Sequence, residues 1–193
     1  MSKLDELRAI KEEVINISGE LADTRRKENY FPVIGEGSHD ASIMFVGEAP
    51  GENEAKTGRP FVGRAGKFLD ELLQFISIPR ESVYITNIVK DRPPKNRDPL
   101  PEEIALYAPF LDKQIEIIKP KIVATLGRFS MTYVMNRYGL DWELGPISNL
   151  HGKVFESPNG FKVVPLYHPA AAIYNQHLKP ELFEDFKILK TLI

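Results

Sequence analysis

Glu48, Phe61, Asn87 and His168 are residue types that could do chemistry, and each stands where an apolar run stops or a turn begins. The densest concentration is residues 43–66, IMFVGEAPGENEAKTGRPFVGRAG. Ile43-Met44-Phe45-Val46 reads as a buried strand, because a short apolar run ends abruptly in turn residues. Gly47-Glu48-Ala49-Pro50-Gly51 then makes a tight turn whose backbone N–H groups are free to point at a ligand. A polar loop with Glu52, Glu54 and Lys56 follows, and Phe61, between Pro60 and Val62-Gly63, is placed to present its ring. Geometry alone would explain the glycines as a strand–turn–helix connection. A carboxylate, a Gly-Pro-Gly turn and an aromatic in one stretch favour a site.

The elements that must position these residues alternate along the chain. Residues 3–17 carry apolar side chains at helical spacing, and a polar connector fills 18–41. Strands are expected at about 42–47, 83–88, 122–126 and 161–167, with helices at about 64–77, 101–118, 129–138 and 180–192. Pro101-Glu102-Glu103 is a proline-plus-acid helix start, and Ser157-Pro158-Asn159-Gly160 reads as a turn joining two strands. Four apolar strands separated by helices predict an α/β fold, a three-layer α/β/α arrangement around a central four-stranded parallel sheet. At 193 residues the chain suits one domain, residues 1–193, with 1–20 as an N-terminal helix.

Ligands of such sheets collect at the carboxyl ends of the strands. Those exits read Gly47 to Gly51, Asn87 with the loop VKDRPPKNRDPLP, Gly127-Arg128, and His168-Pro169. Polar groups far apart in sequence therefore converge on one rim. Taken singly, each has a plainer explanation: His168 as a capping or solvated histidine, Asn87 as a turn support, the loop cations as a solvated face. Lys90, Arg92, Lys95 and Arg97 interleave with Pro93-Pro94 to make a stiff basic edge suited to a phosphate backbone. The irregular stretch around Trp142 assigns that ring only to packing.

Composition bounds the partners. With 42% hydrophobic and 27% charged residues the chain resembles an ordinary soluble globule. Its net charge of −2 gives no global attraction to nucleic acid, so a DNA-binding face must be a local patch. No run approaches the roughly 18 apolar residues of a membrane span, and the charged, helical N-terminus has no signal-peptide core. Zero cysteines exclude disulfides and thiolate metal sites and fit a cytoplasmic protein. The histidines show no metal-ligand spacing, so neither metal nor cofactor is expected.

GEAPG, GRPFVGRAG, YITNIVK-x-RPP-x-NR and the C-terminal HP, in that order, resemble the uracil-DNA glycosylase superfamily, specifically its family 4. The resemblance runs from about Leu21 to the end of the chain. It implies a monofunctional enzyme that flips uracil out of DNA, excises it and leaves an abasic site, acting as a monomer on uracil-containing DNA. Under it, Phe61 would stack on the base, and the Asn87 amide would accept from N3–H and donate to O4, a pattern that cytosine reverses. His168 would donate to uracil O2 as negative charge develops there, and backbone amides of the Gly47–Gly51 turn, Gly47 and Ala49 among them, would add donors. Glu48 would position water or favour the sugar cation, with Glu54 as the alternative carboxylate. Ala170 and Ile173 would belong to an apolar wedge.

The departures are specific. Family 4 members typically hold an iron–sulfur cluster on four cysteines. Here the corresponding positions fall near 16–19, at Asp91 and near Leu106, none of them Cys. Where the family often has Ser, and then Arg, after the HP motif, this chain has Ala170 and Tyr174. Two other readings stay open: a non-catalytic DNA- or uracil-recognising module, and a glycosylase for another deaminated base.

Overall fold

The computed structural model describes residues 2–193. The chain opens with α1 (Lys3–Ile15), α2 (Glu20–Lys27), β1 (Glu36–Gly37), β2 (Ile43–Gly47), α3 (Glu52–Thr57) and α4 (Arg64–Phe75). It continues through β3 (Tyr84–Asn87), α5 (Pro101–Ile118), β4 (Ile122–Leu126), α6 (Arg128–Arg137) and α7 (Ile147–Leu150). It ends with β5 (Phe155–Glu156), β6 (Lys162–Leu166), α8 (Pro169–Tyr174) and α9 (Lys179–Thr191). Among these helices none is long and apolar enough to cross a membrane.

The sheet has six strands in the order β1-β3-β2-β4-β6-β5. Its four central strands are parallel, as the apolar runs predict. The edges correct the expected count: β1 pairs antiparallel with β3, and β5 antiparallel with β6. Each edge strand has two residues, too short for any apolar alternation to announce it. The β5–β6 pair is closed by the expected turn, with Ser157 N–H donating to Phe161 O.

Alternation along each strand divides its side chains between two helical layers. Met44, Val46, Tyr84, Val123 and Val163 pack toward the layer of α1, α5 and α6. Ile43, Phe45, Ile85, Ala124, Val164 and Leu166 pack toward α4 and α9. This parity decides the site, because Gly47 and Asn87 end their strands in the second set and His168 continues it beyond β6.

Local chemistry sets the helix starts. Ser2 and Asp5 form a reciprocal capping box at α1. At α5, Pro101 occupies the first turn and Glu103 accepts from Leu100 N–H, matching the expected start. The expected polar connector 18–41 contains α2 as well, and the expected polar loop after Pro50 is the short helix α3. Trp142 is 68% exposed, so it does not serve the packing expected of it.

Candidate active site

β2 and β3 deliver two site residues side by side, since Gly47 and Asn87 are register partners. A Cβ on Gly47 would collide with Asn87 Oδ1 and with the edge of the Phe61 ring. Glycine there lets the amide and the aromatic close on one another. Asn87 is 2% exposed, and its Oδ1 is buried with no hydrogen-bond partner among the described residues. An unpaired buried acceptor is costly and invites a donor from a ligand. Thr125 Oγ1 is also unpartnered, but its parity in β4 turns it toward the other helical layer.

Phe61 is buried rather than presented to solvent, yet its ring borders the cleft. Its backbone is left-handed, φ 51°, and α4 begins so close behind it that a Cβ on Gly66 would overlap the Phe61 carbonyl. Glu54 holds this turn: its Oε1 accepts from Val62 N–H at 2.9 Å and Gly63 N–H at 2.8 Å. That second carboxylate therefore braces the loop carrying Phe61.

The Phe61 ring stacks on the His168 imidazole with centroids 5.6 Å apart. His168 caps α8, its Nδ1 accepting from Ala170 N–H at 3.1 Å. An accepting Nδ1 puts the ring proton on Nε2. Burial lowers the imidazole pKa to about 4 against a weaker opposing pull from Glu54, so the ring is neutral near pH 7. The result is a neutral N–H donor with no partner of its own among the described residues.

Glu48 leaves β2 into the same cleft. Burial first, and then the Asp98 carboxylate, raise its pKa to about 7, with Arg128 opposing. The cleft has a volume of about 650 Å³ and unites Glu48, Ala49, Glu54, Phe61, Asn87, His168 and Ala170. Gly127 lies directly behind His168, where an added Cβ would crowd the His168 Cβ.

The basic edge is only partly as expected. Lys90 is a correction: it is 0% exposed and cannot reach a phosphate. Its Nζ donates to Asn87 O at 2.6 Å, Gln114 Oε1 at 2.6 Å and Thr86 Oγ1 at 2.8 Å, tying it to the backbone of Asn87. Arg92 is held by Glu52, Asn96 and Tyr30, and Arg97 by both oxygens of Glu103. Lys95 is exposed. The segment after His168 is a helix, not a loop; Ala170 faces the main cleft, and Ile173 borders a neighbouring one. Tyr174, 89% exposed at the end of α8, is its most prominent apolar side chain.

Sequence reasoning overlooked Arg64, Asn96 and Asp98 as lining residues. Arg64 sits inside the GRAG motif, directly at the start of α4, which was a usable signal.

A model of the uracil DNA glycosylase superfamily matches residues 34–187. The type-4 uracil-DNA glycosylase of Sulfurisphaera tokodaii is 47% identical over 98% of this chain and 86% of its own length. The enzyme of the same name from Archaeoglobus fulgidus is 46% identical over 84% of this chain and 81% of its own. That of Saccharolobus solfataricus is 48% identical over 82% and 74%. The match spans all four central strands and every residue of the cleft, and the chain belongs to the uracil-DNA glycosylase superfamily.

Proposed function

We propose that this chain excises uracil from DNA as a monofunctional, single-domain, monomeric glycosylase of the family 4 type, leaving an abasic site. The observation that carries the reading is the unpartnered Asn87 Oδ1, walled by Phe61 and facing the same cleft as the free N–H of His168. A uracil edge supplies what that acceptor lacks, an N3–H. The base reaches such a cleft only when flipped from the helix, and its ring lies against Phe61.

Cleavage breaks the N1–C1′ bond with both electrons leaving on uracil. The sugar becomes oxocarbenium-like and the base anionic, with charge on O2. His168 Nε2–H donates to that oxygen; a neutral donor fixed by the Ala170 N–H needs no reorganisation as the charge forms. Glu48, when ionised, favours the sugar cation and orients the water that adds to C1′. The water's proton is lost to solvent. Glu54 serves the reaction by holding the Phe61 turn rather than as the main carboxylate. Lys95, Ala170, Ile173 and the held guanidiniums of Arg92 and Arg97 contribute to the DNA-facing rim.

An iron–sulfur cluster does not fit this chain. Where the family pattern would place a thiolate, Asp91 accepts from Arg25 Nη1 at 3.1 Å and from Tyr107 Oη at 2.6 Å. Arg25 also donates to the carbonyls of Val14 and Ile15, and the Leu106 side chain lies against Gly19. The donor set is carboxylate, guanidinium and hydrocarbon, which offers an iron–sulfur cluster no soft ligand. That network ties α1, α2 and α5 to the loop after β3 without one.

The test is incubation with a uracil-containing oligonucleotide, followed by alkali. Strand cleavage only after alkali is expected. Intact DNA after alkali would overturn the reading, and cleavage without alkali would overturn its monofunctional part.

A further inference from the structure

The cleft has two rims, and the cations that the sequence assigns to one of them are, apart from the exposed Lys95, buried or paired. On the β3 side Lys90 is buried, Arg92 and Arg97 are held by Glu52 and Glu103, and the neighbouring Arg128 pairs with Asp98 at 2.7 Å. On the opposite side, Arg64 and Lys67 of α4 and Lys179 of α9 make no ion pair with a carboxylate among the described residues. These three line a groove of about 260 Å³ with Gln176 and Ile173. Arg64 borders both this groove and the main cleft, so the two adjoin at its side chain.

We infer that the groove between α4 and α8–α9 binds the phosphates of the substrate strand next to the flipped nucleotide. The inference rests on the glycosylase reading for its partner. A strand whose base enters the main cleft must leave across one of its rims; the β3 rim offers the exposed Lys95, while this one offers three cations without a carboxylate partner among the described residues. Arg64 and Lys67 are three residues apart on α4, about 4.5 Å along its axis and on one face. Glu71, one turn further from the cleft, places a negative charge at the far end of the groove and limits the track. Lys179 lies over the Phe68 ring, 5.4 Å from its centroid, which fixes its ammonium against the groove wall. Gln176 adds an uncharged hydrogen-bond donor for phosphate or sugar oxygens, a common partner in such contacts. A net charge of −2 for the whole chain makes this local concentration the more consequential.

The experiment compares Lys67→Gln/Lys179→Gln with Lys11→Gln/Lys121→Gln, which changes net charge equally on exposed positions outside the groove. Affinity for a uracil-containing single-stranded oligonucleotide is measured by anisotropy across a salt series. Each lost phosphate contact reduces the slope of log K against log salt by about 0.7, so the groove variant should lose about 1.4 and the control none. An unchanged slope in the groove variant, or an equal loss in both variants, would overturn the inference. The measurement reads DNA binding alone, so a wild type that binds DNA without releasing uracil would sink the glycosylase reading and leave this one decided on its own slope.

Discussion

Asn87→Asp and Asn87→Ala separate a base-reading amide from a turn support. Asp replaces the amide donor with an acceptor and, when ionised, sets a charge beside uracil O4. A buried polar mismatch of that kind costs about 1–3 kcal/mol, and 1.4 kcal/mol is one decade in rate. Uracil excision should therefore fall at least about tenfold in both variants, with only Asp drifting toward cytosine. Excision assays on uracil and cytosine oligonucleotides, normalised to folded protein, check this; unchanged rates and base choice would refute it. Lys90 yields a second outcome at this scale. Lys90→Met keeps most of the volume but strips a donor from the Asn87 carbonyl, Thr86 and Gln114. Thermal stability and excision should both fall while the salt slope of DNA binding stays at the wild-type value. A reduced slope would return Lys90 to the DNA surface. Glu48, Asn87 and His168 were legible as candidates because motif and strand exit agree on them, and Phe61 because it stands in the GRPFVGRAG motif. Lys90 was not, because sequence reports a charge but not the side of the backbone on which it leaves, and Lys90 stands three residues beyond the end of β3, outside the strand alternation.

The turn between α3 and α4 shows how an element, rather than a residue, sets the aromatic wall. Phe61 holds a left-handed backbone, uncommon for a bulky residue, and Glu54 offsets that cost by accepting two consecutive N–H groups at the start of α4. Carboxylate hydrogen bonds of this sort contribute about 1.5–3 kcal/mol. Glu54→Ala should accelerate amide exchange at Val62 and Gly63, lower excision and lower the free energy of global unfolding by an amount of that order. Glu54→Gln, which keeps an acceptor oxygen, should recover much of both. Equal protection of those amides in all three proteins would show the brace to be idle. Elements of this length divide by legibility. The 18-residue α5 and the five-residue β4 were readable at their observed bounds, because an apolar period and terminal turn residues mark them. The six-residue α3 and the two-residue β1 were not, being too short to establish a period, and the two-residue β5 was announced only by the turn that joins it to β6.

Across the whole molecule, the cleft leaves an imprint on stability against pH through two groups that pull in opposite directions. Glu48 has its pKa raised from 4.5 to about 7, chiefly by burial. Between those values the folded chain keeps a proton that the unfolded chain has released, so this group's contribution falls as pH rises. His168 has its pKa lowered from 6.5 to about 4, again by burial. Between those values the unfolded chain takes up a proton that the folded one refuses, so this contribution falls as pH drops. The windows overlap from about 4.5 to about 6.5, where the two slopes oppose and conceal one another in the intact protein. Substituting one group at a time exposes the other. Relative to wild type, Glu48→Gln should gain stability as pH rises from about 4.5 to about 7. His168→Gln, whose amide oxygen can still accept from Ala170 N–H, should gain relative to wild type as pH falls from about 6.5 to about 4. Urea unfolding at half-unit pH steps gives both difference curves, and groups elsewhere in the chain cancel from them. Flat curves would mean that neither side chain is desolvated as the cleft geometry requires. Curves of the same sign would mean that one of the two sits in the wrong protonation state to serve beside the other.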